Sequence, residues 1–459
     1  MRPSRRGVAR EFWPMLALAG PVVLAELGWI SMGIVDTLMV GALGPEAIGA
    51  AGIGSNTFIA VAVFGMGLLL GLDTLVSQAF GARRLDECHR WLAHGVALAL
   101  LLTLPMTLVV WLLVWSLDYW GLDPRVLPLT REYLSVVGWS LVPLLLFASV
   151  RRYLQAMNVV RPVMFALVSA NLINAVVNWI LIFGKLGAPA LGVRGAAWAT
   201  VAARAYLALF LLGTIIYRER HATAWTPLRI EAARLKRLIA LGFPAASQIT
   251  LEVGVFATAT ALAGRLVPAS LAAHQISLNL AAATFMVPYG VSSAGAVRVG
   301  QAVGRADPDG AADAGWTAIA LGVGFMVIAA AALLALPRTL IGAFTTDRAV
   351  IDVGARVLMV AAVFQIFDGL QGVGTGILRG LGDTRSPMVW NLAGHWLFGL
   401  PVGYTLCFGL GFGVVGLWTG LSAGLIFVAI VLMAVWWRRI HALPGIISRE
   451  SSAGSTARA

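Results

Sequence analysis

The 459-residue chain is 59 % hydrophobic and only 12 % charged, with a mean hydropathy of +0.86, against about 25 % charged residues in a usual soluble domain. That composition excludes a water-soluble core, and apolar runs of about 20 residues divided by short polar turns describe a polytopic helical membrane protein. The net charge of +12 does not point to nucleic acid, because the basic residues cluster in loops without aromatic interleaving or a recognisable nucleic-acid module.

In chain order, the start "MRPSRRGVAR" carries a twin arginine, Arg5 and Arg6, and so raises a secretion signal. The apolar run from Phe12 to Val40 is too long for a cleaved signal and holds Glu26 and Asp36, so it reads as an uncleaved first span. Further apolar segments fall at 46–72, 90–116, 131–154, 162–184, 192–217, 238–262, 269–297, 312–336, 350–378, 387–410 and 412–437, giving twelve predicted spans. The two tails and the even-numbered loops hold 24 of the 33 Lys and Arg residues, which places both termini in the cytoplasm. A bacterial inner membrane is the expected location. The only basic residue read as plainly inside a span is Arg204, in the sixth. Cys88 and Cys407 fall near opposite membrane faces, too far apart for a disulfide.

The halves repeat. Aligning Gly20 onward with Phe243 onward pairs Pro21 with Pro244, Gly41 with Gly264, Pro45 with Pro268, Asn56 with Asn279, Gln78 with Gln301 and Gly81 with Gly304, all at one constant offset without a gap. Six spans return the chain to its starting side, so the repeats are parallel, an arrangement of transporters that bind substrate between bundles and alternate access. The expected domains are an N-lobe at 1–216, a cytoplasmic linker at 217–237 lying along the membrane surface, a C-lobe at 238–440 and a cytoplasmic tail at 441–459. Pro21 and Pro244 at matching interior positions suggest hinges.

Polar residues inside spans are costly and mark function by default. In the N-lobe, Asn171, Asn174 and Asn178 share one face of the fifth span, Asp36 lies on the first, and Thr200 with Arg204 forms a polar face on the sixth. A carboxylate, amides and a hydroxyl supply hard oxygen ligands or a proton site; interhelical glue is the alternative. Arg204 either neutralises Asp36 or snorkels. In the C-lobe, Gln248 and Glu252 pair on the seventh span, Gln275 and Asn279 on the eighth, Gln365 and Asp368 on the tenth, and Asn391 and His395 on the eleventh. Glu252, near mid-membrane, is ionised only at high cost, so it suits exchange of a proton or Na⁺ for a cationic substrate. His274 and His395 read more as core histidines, Glu26 is ambiguous, and Asp73 is expected to bond neighbouring backbone or Arg83. Glu252 aligns with Trp29 and Asp36 with Ala259, so the acids break the pseudo-symmetry and have different tasks.

The motifs "VDTLMVGALG", "NAVVNWILIFG", "GAAWAT", "LEVGVFA", "AAHQISLN", "VGQAVG" and "GILRGLGDTRSP", in this order over nearly the whole chain, resemble the multidrug and toxic compound extrusion (MATE) family, in its NorM-type branch. The resemblance implies an all-α polytopic membrane protein with twelve transmembrane helices in a V-shaped pair of six-helix bundles. It implies export of cationic lipophilic drugs in exchange for H⁺ or Na⁺. It maps an N-lobe coupling site to Asp36, Asn174, Asn178 and Thr200 and the C-lobe acids to Glu252 and Asp368. Gln275, Asn279, Glu26, Arg204 and His395 are secondary candidates. Asn178 stands where some members carry a second aspartate, and Phe364 where some Na⁺-linked members carry tyrosine, which leans towards H⁺. No cofactor, nucleic acid or second subunit is expected.

Two other functions compete. A lipid-linked saccharide flippase of the same superfamily favours a cationic central cavity and often two extra spans. A membrane-embedded enzyme needs a metal spacing, nucleophile elbow or phosphate loop, and the short loops carry none.

Overall fold

The computed structural model describes residues 5–220 and 229–456, and these are helical almost throughout. The helices are α1 Arg5–Gly41, α2 Pro45–Gly81, α3 Leu85–Ser116, α4 Val126–Ala156, α5 Arg161–Phe183, α6 Gly192–Glu219, α7 Ala232–Ala263, α8 Pro268–Gly304, α9 Pro308–Ala335, α10 Arg348–Leu381, α11 385–409 and α12 Gly413–Thr456. Among the described residues, eleven are long and apolar enough to cross a membrane, α2 with a turn at Leu69–Leu70 and α4 with a 3-10 turn at Gly138–Ser140. The twelfth, α11, is interrupted. Its turns alternate between α and π geometry, with π turns at Leu392–Gly399 and Thr405–Gly409.

Local chemistry sets the helix ends. Pro45, Pro268 and Pro308 occupy first-turn positions, where the missing N–H costs nothing and the fixed φ suits a helix. The Asp307 carboxylate accepts from the Gly310 N–H at 2.8 Å and that of Asp347 from the Ala349 N–H at 2.8 Å, capping α9 and α10. Much of the expected linker, residues 221–228, lies outside the described residues, as do residues 1–4 and 457–459 of the tails. On either side of that linker, α6 continues to Glu219 and α7 begins at Ala232.

The repeat survives in three dimensions. α2 and α8 begin and end at the repeat offset, Pro45 matching Pro268 and Gly81 matching Gly304. Two compact units form, one from the chain up to Val23, Ser77–Arg83 and Ser247 onward, the other from Leu24–Val76 and Arg84–Ala246. Helices α1 and α7 each leave one unit for the other, after Val23 and after Ala246, which the repeat also aligns. In the second unit a Cβ on Gly67 would stand 2.5 Å from Ala246 Cα. In the first, a Cβ on Gly290 would stand 3.0 Å from the Val23 nitrogen. Both glycine–partner pairs are repeat equivalents, so the same backbone-close crossing is built twice.

Each unit has its own core. In the first, Trp418, Trp436 and Phe364 are the largest buried side chains. In the second they include Trp91, Tyr153, Phe58 and Phe147. Between α11 and α12 the packing is backbone on backbone: Gly416, Gly420 and Gly424 recur every fourth residue, and a Cβ on Gly420 would overlap Gly403. Pro401 removes one α11 hydrogen bond, and wider turns on either side of it accommodate the loss.

Candidate functional site

In the first unit, α7, α8 and α10 enclose a cavity of about 350 Å³, at the small end of ligand-site volumes. Helical spacing explains what faces it. Gln248 and Glu252 are one turn apart on α7, and Phe364, Asp368, Gln371 and Thr375 follow at four, three and four residues along one stripe of α10. Phe256, Phe285 and Tyr289 supply aromatic walls, and Arg379 closes the α10 stripe.

Two carboxyl groups therefore share a largely apolar chamber. Gln248 donates to the Glu252 carboxylate at 3.0 Å, and Gln371, also in hydrogen-bonding reach of Glu252, donates to Asn391 Oδ1 at 2.9 Å. Asp368 is 7 % exposed and lies within electrostatic reach of Glu252. No protein hydrogen bond reaches its carboxyl among the described residues. Thr375 Oγ1 is likewise buried without a partner. A cation brought here meets two acids, aromatic faces and little competing hydrogen bonding, conditions in which both ion pairing and cation–π attraction are strong.

The second unit gathers the N-terminal candidates. Asn178 Nδ2 donates to Asp36 Oδ1 at 2.6 Å and to Asn174 Oδ1 at 3.1 Å, joining α1 to α5. The Thr200 hydroxyl is 3.3 Å from Asp36 Oδ2 and 3.1 Å from the Ala196 carbonyl, and its one proton serves either. Tyr133 of α4 lies within hydrogen-bonding reach of Thr200 and Ser55. Asn171, on the same stripe, is a strut: its Nδ2 donates to the Gly28 carbonyl of α1 at 2.9 Å. Arg204 forms no ion pair with Asp36. Its guanidinium donates to Ser140 and lies over the Phe58 ring at 4.5 Å.

The secondary candidates separate. Gln275 and Asn279 are exposed and line no part of the cavity. Buried Glu26 pairs with Arg151 of α4. Asp73 lies 3.5 Å from Arg152, not against Arg83. His274 is a satisfied core residue, receiving the Trp418 Nε1–H at Nδ1 (3.1 Å) and meeting the Thr260 hydroxyl at Nε2 (2.9 Å). His395 is 2 % exposed in the π turn of α11, and neither ring nitrogen has a partner.

Arg204 is therefore not the only buried cation. Arg151 and Arg152, counted as loop residues in the sequence, are 7 % and 8 % exposed within α4, and Arg379 is 6 % exposed within α10. The carboxylates beside Arg151 and Arg152 lie far away in the chain, so no local pattern announces them. Gln371, Thr375 and Arg379 were legible in principle from their spacing after Asp368. Phe285 and Tyr289 look like any apolar span residues.

The comparisons fit this geometry. The MatE family model matches residues 21–180 and 244–405, two segments whose starts, Pro21 and Pro244, are again a repeat pair. The chain is 35 % identical to a probable multidrug resistance protein NorM of Mesorhizobium japonicum, over 95 % of each chain. It is 36 % identical to one of Rhodopseudomonas palustris, over 100 % of this chain and 96 % of that one. The crystal structure of eukaryotic MATE transporter AtDTX14 superposes with a TM-score of 0.84 at 23 % identity, over 96 % of this chain and all of that one. It has the same fold, twelve helices in two six-helix repeats. With the family model matching well over half of its residues and relatives aligned over nearly its full length, the chain belongs to the MatE family.

Proposed function

We propose that the chain is a secondary active multidrug efflux transporter, not an enzyme, exporting cationic lipophilic compounds in antiport with H⁺ or Na⁺ by alternating access. The observation that carries this reading is the cavity in which Glu252 and Asp368 stand among Phe256, Phe285, Tyr289 and Phe364. Two acids held in an apolar chamber must be neutralised, and either an organic cation or a coupling ion can do it. Mutually exclusive occupancy couples the two. The relatives named for multidrug resistance support the same conclusion. Asp36, Asn174, Asn178 and Thr200 form the second coupling cluster.

The protein works as a monomer in a bacterial inner membrane with both termini in the cytoplasm, an orientation supported by the distribution of its basic residues. The flippase alternative is weaker. The cavity lining carries two carboxylates against a single guanidinium, Arg379, and Arg151 and Arg152 each sit beside a carboxylate elsewhere. Proteoliposome transport of a fluorescent lipophilic cation, under an imposed pH gradient and separately a Na⁺ gradient, tests the proposal. Uptake should follow at least one gradient, and transport indifferent to both would overturn it.

A further inference from the structure

Arg204 is a buried charged group that the transport reading leaves unused. It stands one helical turn beyond Thr200, whose hydroxyl faces Asp36, and within electrostatic reach of that carboxylate. Its side chain does not snorkel. It is 6 % exposed, held by Ser140 and the face of Phe58, and its Nε has no hydrogen-bond partner. An arginine stays charged in such a place.

The donors around Asp36 do not suit a metal ion. A hard cation such as Na⁺ needs several oxygen atoms converging on one point. Here Asp36 Oδ1 faces the Asn178 amide N–H, and that same amide occupies Asn174 Oδ1. Asn178 Oδ1 is left over without a partner. The carboxylate thus has the Asn178 amide on Oδ1 and the Thr200 hydroxyl near Oδ2, with the fixed positive charge of Arg204 within electrostatic reach. The charged and titratable groups facing the cluster are Asp36 of α1, Tyr133 of α4 and Arg204 of α6.

We propose that Arg204 is a tethered counter-cation that excludes Na⁺ and other metal ions from the Asp36 cluster. A proton or a Na⁺ ion would each raise the charge of the cluster by one against the guanidinium, but a proton is held by a covalent bond to a single carboxylate oxygen, whereas a metal ion finds no converging set of oxygens here to offset that repulsion. If this repeat couples to a gradient, as the transport reading holds, the gradient is that of protons.

The test is Na⁺ binding by calorimetry on the purified full-length protein. Glu252→Gln and Asp368→Asn are introduced together so that the C-terminal acids contribute nothing. With Arg204 in place, no saturable Na⁺ binding is expected across the physiological range. Arg204→Gln should create a saturable site that Asp36→Asn removes, with affinity at least roughly tenfold above the parent, and Arg204→Lys should stay free of Na⁺. Saturable binding that needs Asp36 while Arg204 is intact overturns the proposal, and so does a folded Arg204→Gln protein that gains no site. If Arg204→Gln does not fold, the titration of the Arg204-bearing protein against its Asp36→Asn control decides alone. Because binding is read and not export, failure here leaves the transporter reading intact, and failure of cation export leaves this result standing.

Discussion

Glu252 and Asp368 sit on different helices but open into one chamber, and neither has a basic partner among the contacts described above. Their carboxyl groups are therefore available to ligands, unlike that of Glu26, which Arg151 already holds. Glu252→Gln and Asp368→Asn should insert normally and reduce organic-cation efflux to the level of cells without the protein, while Asp36→Asn impairs efflux without abolishing it. Efflux kinetics with expression measured in parallel check this, and a wild-type rate for Glu252→Gln would make that acid structural. For the Glu26 pair the expectation is stability, not transport. Breaking a buried ion pair from one side strands a charge and costs about 3–5 kcal/mol. Glu26→Gln or Arg151→Gln alone should therefore lower the Tm of the purified protein more than the double variant does. Additive losses would show that the pair is not coupled. Sequence reasoning found the acids, because a carboxylate in an apolar run is conspicuous. It missed Arg151 and Arg152, because an arginine near a span end looks like a cytoplasmic anchor until its buried partner is known.

At the scale of helices, regular features were readable and irregular ones were not. The predicted spans 46–72 and 269–297 anticipated the starts of α2 and α8 but stopped nine and seven residues short of their ends, and the π turns of α11 had no signature beyond Pro401 and a scatter of glycines. Tertiary packing makes the difference. The wide turns of α11 lie against an α12 face stripped to hydrogen at Gly416, Gly420 and Gly424, and each helix needs the other to be so shaped. Gly420→Val should therefore be among the most damaging single changes outside the polar sites. Its methyls would be forced into the Gly403 backbone, which cannot move like a side-chain tip, and overpacking of this kind costs about 1–3 kcal/mol or more. Size-exclusion profile and Tm in detergent measure it, with Gly411→Ala, where no heavy atom stands within 4 Å but φ is +75°, as a control for backbone strain alone. Equal losses for both would remove close packing as the cause.

For the whole molecule, one constant offset connects the sequence alignment, the helix ends, the exits of α1 and α7 from one unit to the other, and the two starts of the family match. An internal repeat was legible because each copy needs the same crossing glycines and helix-start prolines. The cavity around Glu252 was not, since three helices from separate parts of the chain must meet before it exists. The repeat gives the expected parity and the basic residues the expected sign, so orientation is open to a direct test. Cys88 and Cys407 are buried, at 0 % and 3 % exposure, and should give little background towards a maleimide in the folded protein. A cysteine in place of Leu186, which is 81 % exposed between α5 and α6, should label from outside intact cells. One in place of exposed Arg305, between α8 and α9, should label only after the membrane is opened. The reverse pattern would invert the expected topology.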